Sequence, residues 1–191
     1  MQFRALAIIL AVRPHGEHGA IVRALTADHG LQSGYVRGGR SRRIRPILSV
    51  GNIVSAEFRT RNETQLASLD VELVASRAPL LGEPLAAAAI EWVTALAAVT
   101  LPEGHPYPRV HAALDGILSA VEAAPSARGL VEALARYETL ILTELGYGNV
   151  DAVGLVSNGR RLREDLLTGR RAEILPARDR LIDRIDRAMG R

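Results

Sequence analysis

The strongest constraint on what this chain can fold into is one change of hydrophobic period, at Pro79-Leu80-Leu81-Gly82-Glu83-Pro84. A strand buries alternate residues and a helix buries every third or fourth, so a pattern that suits one cannot serve the other. Ahead of this point the apolar residues fall in five short runs, at 3–12, 20–26, 31–36, 47–59 and 66–75. His29-Gly30 precedes the third run, and Gly51-Asn52 interrupts the fourth as a turn or bulge signal. No helical period lies between these runs, so the first part of the chain reads as a small all-β unit.

Beyond Pro84, which suits the first turn of a helix, Leu85, Ala88, Ala89, Trp92, Leu96 and Val99 recur at helical spacing. Leu101-Pro102-Glu103-Gly104-His105-Pro106 ends that helix. A second starts near Pro108 with Val110, Leu114, Ile117, Leu118 and Val121, and Pro125-Ser126 closes the gap to a third. Ser126 is its N-cap, Leu130, Leu134, Tyr137, Ile141 and Leu145 its stripe, and Gly146 its C′ residue. These three helices are expected to bury their stripes against one another. The Trp92 and Leu96 stripe reads as core. After Gly148, Asn158-Gly159 and Thr168-Gly169 read as turns of a hairpin, and Leu181, Ile182, Ile185 and Met189 as a short terminal helix. The alternating Arg and Asp residues of that helix read as a solvated face. The expected fold is therefore α+β: a five-stranded OB-fold barrel over 1–78, the economical barrel at this length, then an α-helical bundle over 79–191.

Composition narrows the function classes. All 24 basic residues are arginine, against 21 acids, and there is no cysteine. That excludes a disulfide scaffold, a thiolate nucleophile and a Cys-based metal site. Aliphatic runs fall short of the ~20 residues that a bilayer requires, and the N-terminus has no signal-peptide pattern, so no membrane role and a cytoplasmic location are expected. The net charge of +3 conceals an uneven distribution. Residues 1–80 hold 11 Arg and 6 acids, residues 81–155 hold 3 and 9, and residues 156–191 hold 10 and 6. A basic head, an acidic middle and a basic tail imply that the ends seek a polyanion, although the tail could equally pack against the acidic middle.

The densest feature is Arg37-Gly38-Gly39-Arg40-Ser41-Arg42-Arg43-Ile44-Arg45-Pro46, with five arginines in nine residues and no acid. Such a run cannot be buried unpartnered, and Gly38-Gly39 and Pro46 keep it a loop rather than a ladder strand. Each guanidinium can grip a phosphate through two parallel charge-assisted hydrogen bonds. The bland alternative is a solvated loop without a ligand. Arg13 adds to the expected grip, with Arg59 and Arg61 as further helpers. Aromatic residues are scarce, and Tyr35 is the one placed for base stacking; a core role for it is equally open. Recognition should then be electrostatic and tolerant of sequence. No catalytic residue and no cofactor are expected: the chain has no phosphate-cradling Gly-x-x-x-x-Gly-Lys sequence and no Gly-x-Ser-x-Gly elbow. His15, His18 and His29 lack a matched fourth metal ligand, Glu17 is read as orienting the first turn, and His105 and His111 are read as structural.

The segments Ala7-Ile8-Ile9-Leu10, Arg13-Pro14-His15-Gly16-Glu17, His29-Gly30 and Val36-Arg37-Gly38-Gly39-Arg40-Ser41-Arg42-Arg43 occur in that order. Arg45-Pro46-Ile47-Leu48, Gly51-Asn52, Leu101-Pro102-Glu103, and Tyr137-Glu138 through Glu144-Leu145-Gly146-Tyr147-Gly148 follow. Together, over roughly residues 3–148, they resemble the RecO family of DNA repair proteins. The resemblance implies an OB-fold barrel, a helical bundle and a third, often zinc-bearing, subregion. It implies binding of single- and double-stranded DNA and annealing of complementary strands. The implied partners are RecR, the C-terminal tail of the single-stranded-DNA-binding protein and, indirectly, the RecA recombinase. The pattern departs after Gly148: residues 149–176 read as a degenerate finger without cysteine, so zinc is not carried over. The tail pocket lies in the family's helical part, with Arg128 and Arg136 as its candidates here.

The reading is a non-enzymatic mediator of recombinational repair whose phosphate grip is Arg13, Arg37, Arg40, Arg42, Arg43 and Arg45. The alternatives are an RNA-binding or ribosome-associated barrel using the same loop, and a scaffold whose acidic middle binds protein.

Overall fold

The computed structural model describes residues 2–60, 65–123, 126–148 and 154–190. Five strands, β1 (Gln2–His15), β2 (Gly19–Thr26), β3 (Gly30–Val36), β4 (Ile53–Arg59) and β5 (Ala67–Ala75), close into a barrel in the order β1-β2-β3-β5-β4. Every pairing is antiparallel except a short parallel contact of β3 with β5. This is the five-stranded OB-type barrel expected from the strand pattern.

Closure depends on β1 serving two neighbours. Its first half pairs with β4 from Gln2 to Ile8 and its second half with β2 from Ala7 to His15. A register shift between Ile9 and Ala11 lets the strand bend between the two. The interior is lined largely by small residues, including Ala7, Ala20, Ala24 and Ala56, around Phe58 and Leu69. Phe3 packs at the edge of this core, its ring 5.0 Å from that of Phe58. Both phenylalanines thus serve packing rather than ligand stacking.

The run at 47–59 is not one strand. β4 begins only at Ile53, and residues 47–51 are turns. The cause is Asn52, which is fully buried. Its amide donates to the carbonyls of Pro46 and Ile47, both at 3.1 Å, and its Oδ1 accepts the Arg77 N–H at 2.8 Å. A buried amide with every group satisfied outcompetes strand pairing at this point.

The chain divides into two compact units, one of Met1–Pro79 with Pro102–His111 and the other of Leu80–Leu101 with Ala112–Arg191. Within the first unit the returning segment lies along β3: the Gly104 N–H donates to the Leu31 carbonyl at 2.9 Å. Glu103 there accepts from the Ser33 hydroxyl at 2.6 Å and pairs with Arg23 at 3.2 Å.

The helical elements are α1 (Pro84–Thr100), α2 (Pro108–Glu122), α3 (Ala127–Glu144), α4 (Leu155–Arg161) and α5 (Leu175–Ala188). The first turn of α2 belongs to the barrel unit. Pro84 opens α1, the Ser126 hydroxyl caps α3 by accepting the Gly129 N–H at 3.1 Å, and Gly146 follows α3 at φ +84°. Trp92 and Leu96 are fully buried, as the stripe required. None of the described helices is long and apolar enough to cross a membrane.

Two expectations fail in the helical unit. Residues 154–174 form no hairpin: Asn158 and Gly159 lie inside α4, followed by a π-helical turn at Leu162–Leu166 and a 3₁₀ turn at Gly169–Ile174. Asn158 is buried and donates to the Ala135 carbonyl at 2.9 Å, while a Cβ on Gly159 would come within 2.5 Å of the Arg178 guanidinium. The Asn-Gly pair therefore permits close packing instead of a turn. The second is Arg178, which the sequence groups with the solvated face of α5, a helix that packs on α1. This arginine is buried and bridges Glu138 of α3 through Nε at 2.8 Å and Nη2 at 3.0 Å. The same carboxylate accepts from the Trp92 indole at 3.0 Å, and Arg178 also donates to the Leu155 carbonyl at 2.6 Å. Burial pushes the Glu138 carboxyl upward, against the opposite pull of Arg178 and Trp92.

Candidate nucleic-acid interface

The arginine-rich segment is built as a plug. After β3 ends at Val36, the Gly39 N–H returns to the Val36 carbonyl at 3.3 Å and the Ser41 N–H to the Gly38 carbonyl at 2.8 Å. Ser41 then starts helical turns: its hydroxyl accepts the Ile44 N–H at 3.2 Å, and its carbonyl accepts the Arg45 N–H at 2.9 Å. Ile44, Ile47 and Leu48, spaced as one helical face, pack against the barrel core. Arg42, Arg43 and Arg45 stay exposed, as do Arg37 and Arg40. The segment is thus amphipathic, with its apolar side seated on the barrel and its guanidinium groups outside. That spacing of Ile44, Ile47 and Leu48 was readable in the sequence but hidden by the surrounding charge.

Arg40 differs from its neighbours. Its backbone N–H reaches the His18 carbonyl at 3.2 Å and its Nη1 donates to the Glu17 carbonyl at 3.0 Å, tying the plug to the β1–β2 turn. The turn expected to be oriented by the Glu17 side chain is instead held by its backbone, while that side chain is almost fully exposed. Among the described residues, Arg37, Arg42, Arg43 and Arg45 make no ion pair and no side-chain hydrogen bond. Nearby carboxylates are held elsewhere: Glu72 by Arg4 at 2.5 Å, and Glu57 and Asp70 by Arg59 at 2.8 and 3.0 Å. The Arg59 hydrogen bonds hold the Glu57 carboxyl below its ordinary range, and the same pair raises Arg59. Arg59 is therefore engaged by two carboxylates, and Arg61 lies outside the described residues.

Five of the six expected grip residues fall in three places. Arg37 and Arg43 line a groove of about 660 Å³ beside β4 and β5, and Arg40 and Arg45 line one of about 390 Å³ beside Val12 and Pro14. Arg42 is exposed and lines neither groove. Arg13 lies on the outer face of the barrel in register with Ile21, which is in register with Tyr35. Tyr35 is outside the barrel core and half-buried; its ring covers Gly19, where a Cβ would meet it at 2.3 Å, and the edge of His15 stands 5.9 Å away.

In the helical unit, Arg128 and Arg136 are exposed on α3, and Arg136 pairs with Glu132 at 3.7 Å. A groove of about 1070 Å³ among α3, α4 and α5 is lined by Val131, Ile182, Ile185 and Met189, with Arg160 and Arg163 beside them. The tail arginines face the acidic middle: Arg180 pairs with Glu91 at 2.6 Å and Arg178 with Glu138, while Arg163 pairs with Asp179. Residues 149–176 contain neither cysteine nor histidine, so they do not fit a zinc finger. Among the described residues no three His, Asp or Glu side chains gather as a metal would require. His29 instead packs on Phe3, with ring centres 3.9 Å apart.

An OB-type barrel whose end is closed by an arginine-bearing plug, continued by an all-helical unit, defines the class of protein. Residues 1–77 match the family described as Recombination protein O N terminal. The chain is 36% identical over 190 residues to the DNA repair protein RecO of Rhodospirillum centenum, an alignment covering 95% of this chain and 74% of that one. It is 40% identical over 151 residues to that of Gluconacetobacter diazotrophicus, covering 78% and 59%, and 43% identical over 144 residues to that of Rhodospirillum rubrum, covering 74% and 57%. The chain belongs to the RecO family, and it spans just under three fifths of the length of the last two relatives.

Proposed function

We propose that the protein acts in recombinational DNA repair, as a non-enzymatic mediator that grips single- and double-stranded DNA through the barrel plug. The observation that carries this reading is the set of exposed, unpartnered guanidinium groups on Arg37, Arg42, Arg43 and Arg45, mounted on a hydrogen-bonded base. Arg40 anchors that base and keeps donors free for a fifth phosphate. Arg13 and Tyr35 extend the contact along the outer face of β1–β3, Tyr35 by stacking a base. One basic surface that screens two polyanions lowers their mutual repulsion, which is a physical route to annealing complementary strands without nucleotide hydrolysis.

The partners we propose are those that the family resemblance implies: RecR, with which it would assist loading of RecA, and the C-terminal tail of the single-stranded-DNA-binding protein. We propose that this tail docks in the groove among α3, α4 and α5, whose apolar floor of Val131, Ile182, Ile185 and Met189 is flanked by Arg160 and Arg163 and by Glu164 and Asp186; Arg128 and Arg136 lie outside it. The test is annealing of complementary oligonucleotides, with and without the single-stranded-DNA-binding protein, beside affinity for matched DNA and RNA strands. Annealing that persists on protein-coated DNA supports the reading. A preference for RNA without annealing moves the function to RNA binding, and no nucleic-acid affinity at all leaves a protein scaffold.

A further inference from the structure

We infer that the plug divides its DNA contact into two tracks of unequal charge, a tight one beside β1–β2 and a loose one beside β4–β5. The inference rests on the reading that the plug grips DNA. The groove of about 390 Å³ carries Arg40 and Arg45, has no acid in its walls, and is bounded by Val12, Pro14 and Ala20. A hollow of about 350 Å³ that shares Val12, Gly39 and Arg45 extends it past Pro46 and Leu48. Unopposed guanidinium beside an apolar wall is the chemistry of a single-stranded nucleotide, its phosphate on Arg45 and its base against Val12, Pro14 and Pro46.

The opposite groove differs in kind. Arg4, Arg37 and Arg43 stand there beside Glu57, Asp70 and Glu72, three charges of each sign. The carboxylates are turned to Arg4 and Arg59, so Arg37 and Arg43 still draw phosphate, while the nearby negative charge weakens the hold. The hydrogen-bonded turns from Val36 to Leu48 supply both grooves, Arg37 and Arg43 to one and Arg40 and Arg45 to the other. A first strand held firmly and a second held weakly beside it is the arrangement annealing requires, because the second strand must shift its register until it pairs.

Arg43 and Arg45 make the test clean, since they are two residues apart, both exposed, and line different grooves. Arg43→Glu and Arg45→Glu change net charge identically. Affinity for a fluorescent oligothymidine is measured first, then capture of a second, non-complementary strand by the preformed complex, at about 50 mM salt. Arg45→Glu is expected to weaken the first strand roughly tenfold more than Arg43→Glu does. Arg43→Glu is expected to cut second-strand capture and annealing rate more than Arg45→Glu does, with Arg37→Glu as an independent variant of the same groove. If both substitutions weaken the first strand equally, the two tracks are one and the inference is overturned. If neither changes DNA affinity, the underlying reading of the plug as the DNA grip fails instead.

Discussion

Glu138 and Arg178 are 40 positions apart in the chain and meet inside the helical unit, where Trp92 completes the set. Removing one member of a buried pair strands the other, so Arg178→Met should cost about 3–5 kcal/mol, whereas Glu138→Leu with Arg178→Met should recover most of it. The pH dependence has a definite sign. Without Arg178, burial outweighs the smaller pull of the Trp92 and Asn158 hydrogen bonds and holds the folded-state pKa of Glu138 above the unfolded value. The proton is then kept to higher pH in the folded chain, so the carboxyl's contribution is present at acid pH and is lost as pH rises through the raised value. Denaturant unfolding of the single variant should therefore show a deficit, relative to the natural chain, that is small near the unfolded carboxylic range and grows towards neutrality. Asn52→Ala, which strands the Pro46 and Ile47 carbonyls and the Arg77 N–H, should cost about 1–3 kcal/mol in the same measurement. Local chemistry was legible at this scale: the Ser126 cap and the Gly146 end of α3 follow from their immediate neighbours. Asn52, Arg178 and Glu138 were not, because each has a partner far away in the chain: Arg77 for Asn52, and Arg178 and Glu138 for one another.

Among the elements, the plug shows best what sequence patterning conveys and conceals. Five arginines announced an exposed segment, and exposed it is. The same charge masked the apolar face of Ile44, Ile47 and Leu48 that makes the segment a lid on the barrel rather than a free loop. Because the guanidinium groups of Arg42, Arg43 and Arg45 support nothing structural, replacing all three by alanine should leave the thermal midpoint unchanged. The salt slope for single-stranded DNA should then become shallower by about 2 units, at roughly 0.7 per lost phosphate contact. Arg40→Ala should behave differently, costing about 1 kcal/mol of stability through the lost Glu17 contact as well as weakening DNA binding. The α4 region went unread for a related reason. Asn-Gly is a strong turn signal by itself, and only the packing of Asn158 against α3 and of Gly159 against Arg178 turns it into helix.

Over the whole molecule, the division into basic head, acidic middle and basic tail was visible from composition, but the tail's role was not. Arg178 and Arg180 are spent on Glu138 and Glu91 of the acidic middle, while within the barrel unit the unpaired arginines concentrate on one feature, the plug. The absence of cysteine and histidine from 149–176 points the same way, because a metal-bearing finger cannot supply the DNA contact. The most direct measurement is therefore the dependence of single-stranded-DNA affinity on salt, for the natural chain and for a variant with Arg37, Arg42, Arg43 and Arg45 all replaced by alanine. The plug's five phosphate contacts contribute roughly −3.5 to the log–log slope, and a variant that loses four of them should show a slope shallower by about 2.8. A folded variant that keeps the slope of the natural chain would place the DNA contact elsewhere and contradict the account.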